Sequence, residues 1–264
     1  MDIFQRAVSA ARFFVSKTMD FYGIDFLKYR RRLSFLRKVK SSKGERVLDI
    51  AFIKQYIPMY VEAGKLTLGI AFLGILFSLL IGFAASLILY YKVPLWRRVV
   101  QIYVELSRNT PLLVQLFFLY FGLPKLGIRF SSELCGVIGL SFLGGAYMTE
   151  AFRSGLSTVQ KIQKESAQSL GLSKGQIMRY IIFPQALSVS IPAIVANMIF
   201  LIKETSVFSG IALADLMFVS KDLIGLYYKT EEALLMLVIS YLILLLPLSI
   251  LGNVLERRMR IAYV

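Results

Sequence analysis

The chain has 264 residues, of which 57% are hydrophobic and 18% charged, against about 45–50% apolar and about 25% charged in a soluble domain, so a disordered, fibrous or ordinary soluble protein is excluded. A single cysteine, Cys135, and no histidine exclude an internal disulfide, the usual zinc and haem sites and Ser-His-Asp chemistry, and no metal site is expected. The net charge of +15 sits largely in the first 65 residues and in loops between apolar spans, where anionic lipid headgroups, rather than nucleic acid, are the expected partner.

Arginines at positions 6 and 12 interrupt the apolar start of the chain, which therefore does not read as a cleavable signal peptide. Residues 1–65 carry fourteen Lys or Arg and too few sustained apolar residues to span a bilayer. Two readings stay open for this block: amphipathic segments lying on headgroups, suggested by Phe13, Phe14, Phe21, Tyr22, Phe26 and Tyr29 beside Arg30, Arg31 and Arg32, or a basic tail. Residues 66–91 are uncharged for 26 positions, enough for a helix to cross a hydrocarbon core of about 30 Å. A second crossing is expected at 110–126, preceded by an interfacial piece at 95–107, because Glu105, Arg108, Asn109 and Pro111 interrupt the earlier residues. Third and fourth crossings fall at 134–152 and 186–202, both rich in small residues that favour close helix packing. The stretch 204–219 is apolar but short and contains Asp215, which suits a re-entrant or outer-surface helix, and 233–255 is the last crossing. The expectation is an all-α integral membrane protein of about five transmembrane helices plus one short apolar helix.

Loop charge orients such a bundle. The loop at 92–98, the connection at 153–185 and the C-terminal tail together hold eleven Lys or Arg, against five in the opposite loops. These loops place the first side in the cytoplasm and the N-terminus outside, which the basic first block opposes.

The longest interior polar stretch, 157–184, opens with the capping-box pattern Ser157-Thr158-Val159-Gln160 and reaches Gly171 after a helix-compatible run. A second box, Ser173-Lys174-Gly175-Gln176, follows at once. The pattern predicts a helix of about 12 residues closed by a left-handed cap at Gly171, then a new helix returning to the membrane. It is either a rigid helical elbow suited to insertion into a partner's groove or a simple connecting loop.

The residues of this elbow resemble a known signature. Glu165-Ser166-Ala167, three residues, Gly171, nine residues, then Ile181-Ile182-Phe183-Pro184 is similar to the E-A-A, three residues, G, nine residues, I-x-L-P motif of ATP-binding-cassette importer permeases, with Ser166 and Phe183 replacing Ala and Leu. Neither replacement removes the turn or the acidic residue. Arg108-Asn109-Thr110-Pro111-Leu112-Leu113-Val114-Gln115, Gly145-Ala146-Tyr147-Met148-Thr149-Glu150, Pro184-Gln185-Ala186 and Lys203-Glu204-Thr205-Ser206 resemble the polar amino-acid (histidine, glutamine and arginine) permeases of that class. The resemblance covers 57–264 and leaves 1–56 as a basic extension. It implies a type I ABC importer-like transmembrane domain in the bacterial inner (cytoplasmic) membrane. Glu165, Ser166, Ala167, Gly171 and Pro184 would form a cytoplasmic coupling helix docked on an ATPase subunit. Its implied partners are ABC ATPases, a second permease, identical or related, a substrate-binding protein and a polar amino acid, with this chain supplying half of the pathway. No Gly-x4-Gly-Lys-Ser/Thr loop occurs, so no cofactor is expected on this chain and ATP-Mg belongs to the partner.

Ionisable residues within a bilayer cost about 2.5–3.5 kcal/mol each, which makes Arg108 and Glu150 pathway candidates. Interfacial pairs at i,i+3, Glu105 with Arg108 and Glu150 with Arg153, explain them without substrate and are the favoured reading. Asn197 offers an amide either to a zwitterion or to a neighbouring helix, Lys203 closes its helix on the opposite side, and Thr110 in the Arg108-containing motif completes the candidate set. Two other classes compete with ATP-driven import. One is a gradient-driven secondary transporter with a proton on Glu150 or Asp215, although no inverted repeat supports it. The other is a membrane scaffold anchored by its basic block.

Overall fold

The computed structural model describes residues 48–261, with side chains through Glu256. The amphipathic segments considered for the first 47 residues lie outside the described residues.

Asp49 opens the first helix among the described residues, α1 (Ile50–Tyr90), by accepting the Phe52 N–H at 3.0 Å. The helix therefore starts at Ile50, well before the uncharged run at residue 66, and passes position 57 without interruption. Charge does not break it, because Glu62 and Lys65 pair across one turn at 2.7 Å. Forty-one residues at 1.5 Å each make a rod of about 60 Å, twice the hydrocarbon thickness, so its charged first turns extend beyond the apolar layer.

Those first turns are held by the end of the chain. The Tyr60 hydroxyl donates to the Ala233 carbonyl at 2.8 Å. Phe52, Tyr60 and Ala63 pack with Leu216, Val219 and Leu223 of α8 (Leu216–Tyr227) and with Met236 and Leu237 of α9 (Thr230–Ile261). Lys229 bridges to Asp49 at 3.0 Å, and the Asp49 N–H donates to Glu232 Oε1 at 3.2 Å. The Phe52 cap bond and then the Lys229 ammonium hold the Asp49 carboxyl below the usual range.

At the centre lies α4 (Ser132–Thr158), which runs parallel to α1: Gly74 faces Leu140, and Gly82 faces Met148 and Thr149. The Ser78 hydroxyl donates to Gly74 O at 2.7 Å and to Leu140 O at 3.2 Å, so one side chain serves both helices. On its other side α4 meets α7 (Phe183–Glu204) antiparallel, with the Ser190 hydroxyl donating to Ala151 O at 3.0 Å and Asn197 Nδ2 to Tyr147 O at 3.3 Å. Without a hydrophobic drive between helices in lipid, such small residues and shared carbonyls supply the close packing.

Among the described residues, four helical stretches are long and apolar enough to cross a membrane: Ile50–Tyr90, Ser132–Thr158, Lys174–Ile211 and Thr230–Glu256. Leu112–Leu126 is a shorter apolar helix. It starts as α3 (Leu112–Phe117) and continues through a π turn, Phe118–Gly122, and a 3-10 turn, Leu123–Leu126.

The segment expected to lie at the interface, 95–107, packs along α4. It forms α2 (Trp96–Arg108), whose Tyr103 and Ser107 hydroxyls both donate to Phe142 O, at 2.7 and 3.1 Å. Leu112 and Leu116 pack beside Gly139, further along α4. Thus α2 and α3 form one broken rod antiparallel to α4, with the break beside the middle of that helix. The segment 204–219 departs from expectation. A 3-10 turn, Thr205–Ile211, is followed by Asp215, which does not lie inside a helix but starts α8 by accepting the Phe218 N–H at 2.9 Å.

Candidate functional site

Two regions gather the residues singled out in the sequence. The first is the elbow between α4 and α7. The expected box at Ser157 does not form: Ser157 and Thr158 stay in the last turn of α4, donating to Ser154 O and Gly155 O at 2.7 Å each. The short helix, α5 (Lys161–Ser169), starts instead after Gln160. Its C-terminus follows the predicted cap. Gly171 has φ +80°, its N–H donates to Gln168 O at 2.9 Å, and the Leu172 N–H donates to Ala167 O at 3.2 Å. These two bonds make a Schellman motif, whose left-handed residue is cheap only for glycine.

The second box forms fully. Ser173 Oγ accepts the Gln176 N–H at 3.3 Å while Gln176 Oε1 accepts the Ser173 N–H at 2.8 Å, opening α6 (Lys174–Ile177). A π turn, Met178–Ile182, then carries the chain to Pro184 in the first turn of α7. The missing Pro184 N–H suits that helix start.

Ala167 faces the body of the protein, buried with Leu156, Val159, Ile177, Ile182 and Ala186, and Pro184 is half-buried in the first turn of α7. Glu165, Ser166 and Gly171 are exposed, and Glu165 pairs with Lys161 at 3.0 Å. A shallow groove of about 420 Å3 lined by Ile162, Gln163, Ser166, Ala167, Leu170, Leu172 and Ile181 crosses the elbow. Leu170 beside it is 80% exposed and Ile162 64%. Ile162, Leu170 and Ile181 were not among the expected site residues. Their signal is the recurrence of apolar side chains inside an otherwise polar stretch.

The second region is a polar wall along α2. That helix buries Val100, Val104 and Ser107, exposes Val99, Ile102 and Leu106 on a second face, and sets Arg97, Gln101, Glu105 and Arg108 along a third. Arg97, Gln101 and Glu105 line a pocket of about 380 Å3 with Leu89, Val104, Glu150 and Arg153. Within it Arg153 clasps Glu150, Nη2 at 2.5 Å and Nε at 3.1 Å from the carboxylate oxygens, which is the expected i,i+3 pair. The other expected pair does not form. Arg108 lies over the Tyr147 ring, 5.3 Å from its centre, and Glu105 Oε2 accepts instead from Asn109 Nδ2 at 3.2 Å.

Tyr147 therefore gathers two candidates, with Arg108 over its ring and Asn197 bonded to its carbonyl. Glu150 lies one turn further along the same helix. Thr110 sits in the break between α2 and α3, where its hydroxyl donates to Leu106 O at 2.8 Å. Lys203 stands apart, exposed in the last turn of α7. Among the described residues no group of three or more Cys, Asp or Glu side chains is placed to hold a metal ion.

Residues 74–261 match the family described as the binding-protein-dependent transport system inner membrane component, and the chain belongs to that family. It is a multi-pass membrane component of a transport system rather than an enzyme. The chain is 32% identical over 216 residues to the arginine transport system permease protein ArtQ of Bacillus subtilis, covering 81% of this chain and 98% of that protein. To the glutamine transport system permease protein GlnP of Escherichia coli K12 it is 33% identical over 215 residues, 81% of this chain and 98% of that one. Its fold superposes on a crystal structure of an amino acid ABC transporter with histidines with a TM-score of 0.74 at 31% identity, covering 80% of this chain and 99% of that chain. The MetNI methionine ABC transporter, at 18% identity and a TM-score of 0.65, shares the fold.

Proposed function

We propose that this chain is the permease subunit of an ATP-driven importer of polar amino acids in a bacterial inner membrane, with the elbow as its coupling element. The observation that carries the proposal is the elbow itself: a short helix closed by the left-handed Gly171, followed at once by a complete capping box at Ser173. Both ends are fastened to the body through Ala167 and Ile177, so movement of a docked partner would be transmitted to α4 and α7 rather than absorbed in a loop. The exposed apolar rim of Ile162 and Leu170 gives such a partner something to bury.

The partner is an ABC ATPase that binds and hydrolyses ATP-Mg, since this chain has no phosphate-binding Gly-Lys-Ser/Thr loop. Glu165, Ser166 and Gly171 face that ATPase, while Ala167 and Pro184 hold the elbow to the bundle. A second permease, identical or related, completes the pathway, and a separate binding protein delivers the substrate.

Polar groups at membrane depth are tolerated where they line an aqueous path. Arg108, Thr110, Glu150 and Asn197 are assigned to that path, with Arg108 facing the substrate carboxylate and Glu150 its cationic end, and Lys203 at its opposite mouth. Closure and opening of the ATPases then move the α4–α7 pair and alternate the access of this wall.

The test is uptake by proteoliposomes containing the chain with its co-purified ATPase and binding protein, supplied with glutamine, arginine or histidine. Uptake that needs ATP inside and survives collapse of the proton gradient is expected. Uptake that survives ATP depletion and stops with the gradient would overturn the proposal in favour of secondary transport.

A further inference from the structure

The break between α2 and α3 is costly where it lies. A helix interrupted beside the middle of α4 leaves backbone carbonyls without intrahelical donors, and in a membrane each must be satisfied by protein or by a water-filled path. The break is wired by side chains added to backbone bonds, in which the Asn109 N–H donates to Glu105 O at 3.1 Å and the Val114 and Gln115 N–H groups donate to Pro111 O at 3.0 and 3.2 Å. Asn109 Nδ2 donates to Glu105 O at 2.8 Å, and Thr110 Oγ1 to Leu106 O at 2.8 Å, both within the α2 end.

Gln115 is different, because it reaches across. From the first turns of α3 its Nε2 lies 3.1 Å from Ser107 O in the last turn of α2, 3.2 Å from Thr110 O and 2.8 Å from Thr110 Oγ1. One amide group thus touches the end of α2, the break and the residue that wires it. Its other atom, Oε1, is buried and without a hydrogen-bond partner among the described residues. Keeping an amide whose acceptor goes unused makes physical sense where its donors are needed.

The angle set at this break decides where α2 points. That helix carries Arg97, Gln101 and Glu105 on the face turned to Glu150 and Arg153, and Arg108 over the Tyr147 ring. We propose that Gln115 is a positioning residue for transport: by clamping α3 to the end of α2 it fixes the angle of the broken span and with it the placement of the α2 polar face, a step that rests on the permease function proposed above. It touches no substrate in this role. Its effect passes through Thr110 and the α2 carbonyls.

The experiment uses the whole assembly in proteoliposomes with three variants: Gln115→Glu, which keeps the shape and loses the amide donors, Gln115→Met, which loses all polarity, and Thr110→Val. If Gln115 positions the wall, both Gln115 variants raise the KM for uptake about tenfold or more while the amount of folded, ATPase-bound protein stays near wild type. Combining Gln115→Glu with Thr110→Val then raises KM by less than the product of the two single effects, since both act on one clamp. An unchanged KM with wild-type protein active would overturn the assignment. So would fully multiplicative effects of the two substitutions, or loss of folded protein with normal KM in the fraction that remains. Absence of ATP-driven uptake in the wild type would instead reject the permease function, so the two failures are told apart.

Discussion

The Lys164 ammonium of α5 lies 4.9 Å from the centre of the Tyr90 ring at the end of α1, so the elbow is fastened to the first span as well as to the helices on either side of it. A cation over an aromatic ring at a partly exposed site is worth about 0.5–1 kcal/mol, too little to decide folding but enough to bias an elbow's position. Replacing Lys164 by Ala should leave thermal stability almost unchanged and lower the substrate moved per ATP hydrolysed about two- to fivefold. Simultaneous assay of uptake and phosphate release checks this, and an unchanged ratio would show that the contact carries no coupling.

Packing of α1 on α4 leaves no room at Gly82. A Cβ there would lie 2.8 Å from the Met148 carbonyl carbon and 2.9 Å from the Thr149 nitrogen, both backbone atoms that cannot rotate away. Gly82→Val should therefore destabilise the detergent-solubilised protein by about 3 kcal/mol, the upper part of the usual overpacking cost. Thermal unfolding compared with wild type measures it. At Gly69, where an added Cβ meets nothing within 4 Å, Ala should be neutral.

Asp215 gives the protein a pH dependence of stability. Its side chain is fully buried, and burial pushes its carboxyl up from 3.8 to about 6, although its cap bond with Phe218 and the nearby Lys221 oppose the shift. Because the folded state holds this proton more tightly than the unfolded one, the contribution is complete below about pH 4 and is lost as pH rises through about 6. The loss is on the order of 3 kcal/mol at most. Asp215→Asn keeps an acceptor for the Phe218 N–H and removes the titration. The stability of wild type relative to this variant should fall between pH 4 and pH 7, and a pH-independent difference would contradict the account.

The four long apolar helices and the second half of the elbow were legible in the sequence because they depend on local chemistry: long uncharged runs, a glycine where a left-handed cap is needed, and a Ser and Gln three apart at a helix start, whereas the expected crossing at 110–126 is a shorter apolar helix, Leu112–Leu126. Ser157 misled because a serine near a helix end can equally donate back to its own helix, as it does to Ser154 O. The early start of α1 was hidden by Glu62 and Lys65, which pair with each other, and by tertiary support from Ala233 and α8 that no local pattern announces. The packing of α2 along α4 was hidden for the same reason. Its charged face looked interfacial, whereas the bonds of Tyr103 and Ser107 to Phe142 O that lay it along α4 come from far along the chain. Of the pathway candidates, Arg108 and Asn197 meet at Tyr147, a contact that no spacing in the sequence specifies.

The most direct test of the elbow as a coupling element is retention of an ATPase. Gly171 sits at φ +80° with open space around it, so Gly171→Arg strains the left-handed turn by about 1–2 kcal/mol and adds bulk outward without touching the membrane bundle. After gentle detergent extraction of tagged protein from native membranes, wild type should carry an ABC ATPase and the variant should retain less than a tenth of it at equal membrane content. Equal ATPase in both samples, or none with the intact wild type, would contradict the account.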